Sequence, residues 1–410
     1  GSSAAFTSSV YRGSTVRVLI SDSGGGNVAL GFGGLEIFGT VQLEGAGGGL
    51  VQSGGSASVG SITMRPGSNL ILTNVTSTFT AGASGRLADA QSINLNGGTL
   101  SILGSATQNQ VETVSTLSIG RGSIISLARG AATFSTGFAA ANIARVGAGT
   151  LVVQTGTAGF SAQELLQLTS SAGTFITGSG LNGAAGNTML PSWMVHQSST
   201  NGAASFLTVT PTTGAAPYTF TTAIFSASPL GAATSTGIMN VPVAGLALTA
   251  NAAAFALRLQ GALSGSTVTI GGNAGTGSGL ITDSGSFTHS ANFVFTNDAN
   301  VYVGVLSPTG GGSIQTITGT VAAPNFTKFG VGTLILAGAN TGVTGTFTVN
   351  QGTLQFGTAA SINNRPIVMD GGNVTFSTAL RTNSSIQVNT DLGTLATVTG
   401  GASSISTLTI

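Results

Sequence analysis

A glycine that recurs every 20 or 21 residues is the feature of this sequence that most restricts its fold. After each glycine, apolar residues alternate with other residues for a few positions, as in a β-strand with one buried face. The recurring glycines are Gly332, Gly352, Gly372 and Gly393. A period of this length predicts stacked structural repeats, each of which buries its apolar face against the next.

Two columns of apolar residues keep this period, one on each side of the glycine. The column after the glycine comprises Leu334 and Leu336, Leu354 and Phe356, Val374 and Phe376, and Leu395 with Thr397. The column before it comprises Phe347 and Val349, Ile367 and Met369, Ile386 and Val388, and Leu408 and Ile410. We expect both columns to point inward, with glycine at the corner between two strands and with Thr333, Gln355 and Thr375 facing outward.

The rest of the sequence follows the same pattern with less regular spacing. In the first part, one or two apolar residues stand on each side of Gly67, Gly98, Gly122 and Gly149, and Ile124 is expected to point inward after its corner. We therefore divide the chain into irregular solenoid coils (1–154), a less regular β-rich region with insertions (155–320) and regular coils of about 20 residues (321–410). The best candidate for a helix is residues 161–168, with Ser161 as its N-cap.

The composition favours a folded chain and argues against several functional classes. Hydrophobic residues make up 41% of the sequence and charged residues only 5%, whereas disordered chains combine low hydrophobicity with high charge. Because the formal net charge is +1 and no two basic residues are adjacent, we expect no nucleic-acid binding. The chain has no cysteine, no stretch that meets the criterion for a transmembrane helix, and no signal-peptide pattern in residues 1–5.

Residues that could carry catalysis or hold a metal ion are sparse and scattered. The ten acidic residues show no paired-acid motif, since even Glu36 and Glu44 are eight positions apart. The two histidines, His196 and His289, lack the cysteine or acidic neighbours that would complete a metal site. We therefore predict no catalytic, cofactor-binding or metal-binding residues, although acids that are distant in sequence can still meet across coils.

Three further patterns have ordinary structural explanations. The glycine-rich residues 271–275 lack the aspartate of calcium-binding solenoids, and Lys328 follows Thr327 and not a phosphate-binding glycine loop. Thr-x-Thr motifs could form a flat hydroxyl array for ice or sugar, but outward threonine is common in strands. These motifs begin at Thr208, Thr267, Thr346, Thr397 and Thr407.

One stretch resembles a known family. Residues 326–357 begin Phe-Thr-Lys-Phe-Gly-Val-Gly-Thr-Leu-Ile-Leu-Ala-Gly-Ala-Asn-Thr and continue to Val-Asn-Gln-Gly-Thr-Leu-Gln, which resembles the autotransporter-associated β-strand repeat; residues 146–154 resemble part of it. Residues 342–345 depart from it, because they read Gly-Val-Thr-Gly where the family commonly has Tyr-Thr-Gly-Gly. In that family the motif marks passenger regions of large secreted bacterial proteins, which look like right-handed β-helices, so the resemblance implies a surface location. The chain ends on an apolar strand, and we expect a segment or processed piece of a larger protein.

These observations predict an all-β, right-handed parallel β-helix, or β-solenoid, with loop insertions. Some 20 coils at about 4.8 Å per coil would form a rod on the order of 100 Å long. The predicted function is an extracellular or cell-surface structural protein without catalytic activity, such as an adhesin stalk, a passenger or a filament subunit. Expected partners are further copies, joined head to tail into filaments, and surface glycans or other cells. The alternative is a β-helix that binds or cleaves carbohydrate.

Overall fold

A computed structural model of the chain describes residues 34–43, 60–73, 85–156, 160, 163–170, 188–209, 217–226, 230–231, 237–271, 278–283, 285–305, 312–362, 364–377, 384–389 and 407–409. Regular structure in these ranges is almost entirely β-strand, and the one helix among them, α1 (Ala359–Ile362), has four residues. Most strands pair in parallel with a strand of the preceding or following coil. The predicted all-β solenoid is therefore confirmed, and its right-handedness stays a prediction.

The first group of coils, which we call the first stack, has two strands per coil. Its strands are β1 (Leu35–Ile37), β2 (Thr40–Leu43), β3 (Ile62–Met64), β4 (Asn69–Thr73), β5 (Ser92–Asn96), β6 (Thr99–Leu103), β7 (Gln110–Gly120), β8 (Gly122–Ala128), β9 (Thr136–Arg145), β10 (Thr150–Thr155), β11 (Glu164–Leu168), β12 (Thr188–Met189) and β13 (Met194–Ser198). One face has the order β1-β3-β5-β7-β9-β11 and the other the order β2-β4-β6-β8-β10-β13. Alternate residues such as Ile93 and Leu95 point between the two faces and are fully buried there, which explains the period of two.

A pair of antiparallel strands closes one end of the first stack. β14 (Ala204–Val209) pairs with β13, β15 (Tyr218–Thr222) pairs with β14, and β15 also pairs with β11 on the opposite face. This closing hairpin, β14 and β15, joins the two faces into one 15-stranded sheet. It also supplies the last strands of both faces with a partner, so the parallel stacking ends there.

The second group of coils, the second stack, has up to three strands per coil. Its strands are β16 (Ile238–Val241), β17 (Leu246–Leu248), β18 (Ala252–Ala254), β19 (Ala256–Leu259), β20 (Leu263–Gly265), β21 (Thr267–Ile270), β22 (Ser278–Thr282), β23 (Phe287–His289), β24 (Asn292–Phe295), β25 (Ala299–Val303), β26 (Ile314–Ile317), β27 (Val321–Ala323), β28 (Phe326–Phe329), β29 (Thr333–Leu336), β30 (Gly342–Val343), β31 (Phe347–Val349), β32 (Thr353–Phe356), β33 (Ile367–Met369), β34 (Asn373–Phe376), β35 (Ser385–Val388) and β36 (Thr407–Thr409). A nine-stranded sheet runs from β16 to β36, and shorter parallel sheets form the other faces.

The repeat read from the sequence has the predicted register. In the column before the corner, Phe347 pairs with Ile367, Ile367 with Ile386 and Ile386 with Leu408. In the column after it, Leu354 pairs with Leu334 and Val374, and all three are fully buried. The predicted outward residues Thr333, Gln355 and Thr375 are partly exposed, while Leu395, Thr397 and Ile410 lie outside the described residues.

Two local predictions are wrong. Residues 164–168 form strand β11 and not a helix, because Glu164, Leu166 and Leu168 alternate inward with a period of two. Ile124 points outward, since the tight corner at Arg121, which has a φ of 50°, turns the buried Ser123 inward and makes Ile125 the next inward residue. The Ser123 hydroxyl donates to the carbonyl of Leu95, a bond that fixes this shift of one residue.

The coils do not form one long rod, so that expectation is also wrong. The nine-stranded sheet is roughly 40 Å tall at about 4.8 Å per strand, and the second stack lies beside the first. Contacts run in opposite order along the two stacks: Asp283 contacts Ala204, whereas Gln351, later in the chain than Asp283, contacts Gly122, which precedes Ala204. The stacks are therefore antiparallel. The division at residues 154 and 320 stays a prediction, although parallel pairing continues across both positions.

Candidate functional site

The carboxylates of the described residues are dispersed, and most of them bind groups of the protein itself. Six of the seven described acidic residues accept a hydrogen bond from a backbone N–H or a side chain: Glu36, Glu112, Glu164, Asp283, Asp298 and Asp370. Desolvation raises the pKa of Glu112 to about 7, although the N–H groups of Arg86 and Leu87 favour its charged form. Glu36 pairs with Arg65, and Glu44 lies outside the described residues. These acids hold turns and strands in place.

The two histidines lie in the interiors of different stacks. Nε2 of His196 is 2.7 Å from the hydroxyl of Thr155 in the first stack, and burial lowers the pKa of His196 to about 4. His289 lies in the second stack, between Leu263 and Gln315. No group of three His, Cys, Asp or Glu side chains in the described ranges is placed to hold a metal ion.

The Thr-x-Thr motifs do not share a surface. Thr208 is buried in strand β14 of the closing hairpin, Thr267 lies on a short face of the second stack, and Thr348, from the motif at Thr346, is buried in the nine-stranded sheet. Thr397 lies outside the described residues. The motifs whose side chains are described therefore form no continuous hydroxyl array.

The lysine of the repeat is inside the protein. Lys328 follows the inward Phe326 by two positions, so its side chain enters the core of the second stack, where it is fully buried. Its Nζ lies within 2.8 Å of three carbonyl oxygens, those of Gly330, Gly332 and Gln351. Burial lowers the pKa of Lys328 well below its ordinary value, whereas three acceptors match the three N–H bonds of an ammonium group.

The corner that Lys328 binds has one residue more than the next corner along the stack. Four residues separate Lys328 from Thr333, and three separate its partner Val349 from Thr353. The longer corner turns the carbonyls of Gly330 and Gly332 inward, and the amine satisfies them. Gly352 approaches this amine so closely that a Cβ would lie 2.3 Å from Nζ, and its φ is +64°, so glycine is required there.

The next corner, residues 350–352, contacts both the longer corner and the first stack. The side chain of Gln351 accepts a bond from Gly330 N–H and donates to the carbonyl of Gly122 across the contact between the stacks. Asn350 donates to the carbonyl of Ala148 at 2.8 Å and to the hydroxyl of Thr150 at 3.0 Å. Ala148 and Thr150 belong to residues 146–154, which resemble part of the repeat. The two repeat-like corners therefore bind each other.

The remaining contact between the stacks, which we call the seam, is mostly apolar. It is formed by buried side chains that point outward from both stacks: Val152, Met189, Val195, Ala204, Phe206, Ala223, Ile238, Phe255, Ala256, Ile281, Tyr302 and Phe329. Gly279 has no side chain where Phe206 and Ser192 pack, and a Cβ there would lie 2.6 Å from the Phe206 ring. The seam is thus a third core between the cores of the two stacks.

Polar groups fix the position of one stack on the other. Arg145 donates to Asn300 across the seam at 2.9 Å, and its guanidinium lies over the ring of Trp193. Asn300 in turn donates to Ser192 at 3.0 Å. Burial lowers the pKa of Arg145 to about 10, while the charge of Asp298 opposes that shift. Directional bonds of this kind fix the register of two surfaces that apolar packing alone would leave free to slide.

The geometry can be set beside known proteins. No helix in the described part of the chain has the length and hydrophobicity needed to span a lipid bilayer. No curated protein and no solved structure matches the chain. A family model, the passenger-associated-transport-repeat, matches residues 326–356. The match confirms the resemblance seen in that stretch of the sequence. This chain is therefore similar to the passenger-associated-transport-repeat family over these residues.

Proposed function

We propose that this chain is a non-catalytic scaffold of the passenger type, exposed on the bacterial surface or released from it. The observation that carries the proposal is the match of residues 326–356 to a repeat of exported passengers. The matched residues build the lysine-filled corner and the contact with the first stack. In this proposal the repeat serves the architecture, and the exposed faces of the two stacks form the displayed surface.

The chemistry of the described side chains supports a passive role. Most carboxylates bind neighbouring backbone or side-chain groups, and both histidines are buried in separate interiors. A glycosidase would need two carboxyl groups that face each other across a bound sugar. The proposed scaffold needs none of these groups to be free.

Surface exposure can be tested with cysteine labelling, because the chain has no cysteine of its own. Val331→Cys places a thiol at a residue that is 54% exposed, and Val349→Cys places one at a fully buried residue of the same type. Intact cells that carry the full parent protein are treated with a membrane-impermeant maleimide. We expect labelling at residue 331 and none at residue 349. Labelling of residue 331 only after cell lysis would contradict the proposed location.

The absence of catalysis needs its own experiment. The purified chain is incubated with a panel of polysaccharides in a reducing-sugar assay, and its binding is measured on a glycan array. We expect no release of reducing ends. Cleavage of any polysaccharide at a rate above that of a heat-denatured control would replace the scaffold proposal with the carbohydrate-cleaving alternative, and array binding alone would identify an adhesive ligand.

We also propose right-handed coils and self-association through coil ends. Right-handed connection between parallel strands of one sheet is the general rule and supports the first point. The closing hairpin occupies one end of the first stack, so end-to-end contact would use the second stack there. Electron microscopy at side-chain resolution tests handedness. Sedimentation that stays monomeric at high concentration would contradict self-association.

A further inference from the structure

A histidine ring replaces a backbone acceptor at one break in the second stack. The parallel pair β17 and β20 forms a separate two-stranded sheet, and the sheet that begins with β23 continues the same face in the following coils. At this break the N–H of Leu263 donates to Nδ1 of His289 at 3.1 Å. The carbonyl of Leu263 accepts from the N–H groups of Ser290 and Ala291. The imidazole thus joins two coils where the sheet is interrupted.

The partners of the ring determine its protonation state. A backbone N–H can only donate, so Nδ1 of His289 must carry a lone pair. The proton of the neutral ring is then on Nε2, which donates to Oε1 of Gln315 at 2.9 Å. The amide of Gln315 donates in turn to the carbonyl of Gly285 at 3.0 Å. These four residues, Leu263, His289, Gln315 and Gly285, form a chain of bonds that we call the histidine joint.

In the described strands packed around the joint, no charged side chain compensates a positive ring. His289 has no exposed surface. The ring of Phe293 packs edge-to-face with the imidazole, with 6.3 Å between the two ring centres. The packed strands β20, β23, β24 and β26 contain no Asp, Glu, Lys, Arg or Tyr, and no second histidine. Burial accordingly lowers the pKa of His289, although its bond to Gln315 opposes the shift. The carboxylate nearest in sequence, Asp283, binds Arg258 and Ala204 at the seam.

His196 provides an internal comparison. It is also buried, but its Nε2 faces the hydroxyl of Thr155, which can either donate or accept. Protonation of His196 therefore sets no N–H against another N–H at this bond, although burial still opposes the charge. Protonation of His289 instead sets an N–H against the N–H of Leu263 and leaves a buried donor without an acceptor.

We infer that the histidine joint is an acid-sensitive break point, at which protonation of His289 opens the face of the second stack between β20 and β23. The direction of the pH effect on the joint follows from the burial of a neutral ring. The opened joint binds a proton with the ordinary affinity of histidine and the closed joint binds it more weakly, so closure loses stability as the pH falls below about 6.5. Between the same two coils, strand β19 pairs with β22 and strand β21 pairs with β24. These two strand pairs stay intact, so the opening is local.

Hydrogen exchange of the intact chain tests this inference. Protection of the Leu263, Ser290 and Ala291 amides is compared at about pH 7.5 and about pH 4.5, each corrected for its intrinsic exchange rate. Two pH units below the ordinary pKa allow a loss of protection of up to about 100-fold. The backbone N–H of Phe347 donates to the carbonyl of Pro366, and both residues are distant from the histidine joint. This amide serves as the reference and should keep its protection.

Two variants separate the joint from general acid loosening. His289→Asn keeps an acceptor near the position of Nδ1 but cannot be protonated, so it should retain protection at Leu263. His196→Gln removes the other histidine and should lose protection as the unmodified chain does. Unchanged protection of Leu263 in the unmodified chain, or an equal loss in His289→Asn, would overturn the inference.

A second measurement remains decisive if His289→Asn does not fold. The chain has two histidines, so selective ¹⁵N labelling with His196→Gln as the assignment variant resolves both rings by NMR. At neutral pH we expect His289 to carry its proton on Nε2 alone. A proton on Nδ1 would show that the ring does not accept from Leu263, and the inference would fail.

Discussion

Replacing Lys328 by methionine tests whether the buried amine stabilises the repeat corner. The variant keeps an unbranched side chain in the core but removes the donor to the carbonyls of Gly330 and Gln351, and one of the two donors to the carbonyl of Gly332, which keeps its bond from Thr353 N–H. At about 1 kcal/mol for each of the two carbonyls left without a donor, we expect the corner to lose about 2 kcal/mol. The hydrogen bond from the Gln351 side chain to the carbonyl of Gly122 should weaken as well, because Lys328 holds the backbone of Gln351 through its carbonyl.

The assay is hydrogen exchange at amides that report opening of this coil. Asn350 N–H donates to the carbonyl of Lys328, and Thr353 N–H donates to the carbonyl of Gly332. A loss of about 2 kcal/mol corresponds to about a 30-fold loss of protection at both amides. The control is Met369→Ala, two coils further along the same inward column, which removes apolar volume and no polar atom. It should cost about 2–5 kcal/mol through its cavity.

The pH dependence distinguishes the two variants. Because the pKa of Lys328 is lowered from 10.5, the unfolded state binds more protons below that pH, and the stability contribution of the lysine rises as the pH approaches 10.5. Lys328→Met should abolish this rise, and Met369→Ala should leave it unchanged. Equal protection in Lys328→Met and the unmodified chain would refute the argument that the amine satisfies the corner.

Three further predictions follow from the packing and charges. Phe206→Ala, at the seam, should cost about 3–5 kcal/mol in urea denaturation, whereas Val111→Ala at a partly exposed position should change stability by less than about 1 kcal/mol. The pKa of Glu112 is raised from 4.5 to about 7, so the folded state binds more protons in that interval and stability should fall as the pH rises through it; Glu112→Gln should remove this trend in melting temperature. Limited trypsin digestion followed by mass spectrometry should show cleavage after the exposed Arg129 before cleavage after Arg145, which is partly buried and bonded to Asn300, and the reverse order would contradict this difference in exposure.

The regular coils could be predicted because their signal is local and repeated. A glycine corner and a period of two define which residues point inward, and the ladder from Phe347 to Ile386 has that register. The inward position of Lys328 was available from the same alternation, since it lies two residues after Phe326. Its three carbonyl partners were not, because they depend on how the backbone turns at a longer corner.

The seam could not be predicted, because it joins strands that are far apart in the sequence. A partial signal is present in strands such as Ala299–Val303 and Met194–Ser198, where consecutive residues are all buried and the usual alternation is lost. Such strands are covered on both faces. Which surface covers them depends on the closing hairpin, whose antiparallel pairing ends the first stack. Neither the pairing nor the reversal of direction leaves a periodic pattern in the sequence.

The antiparallel arrangement has a mechanical consequence. Arg121 lies beside Asp370, whereas the later Ala204 lies beside the earlier Asp283, so strands β1 and β36 are at the same end of the molecule. A force that pulls these two strands apart would load the seam by peeling, one contact after another, and not all contacts together. Contacts near Asp370 would bear the load first, then those of Asn350 and Asn300.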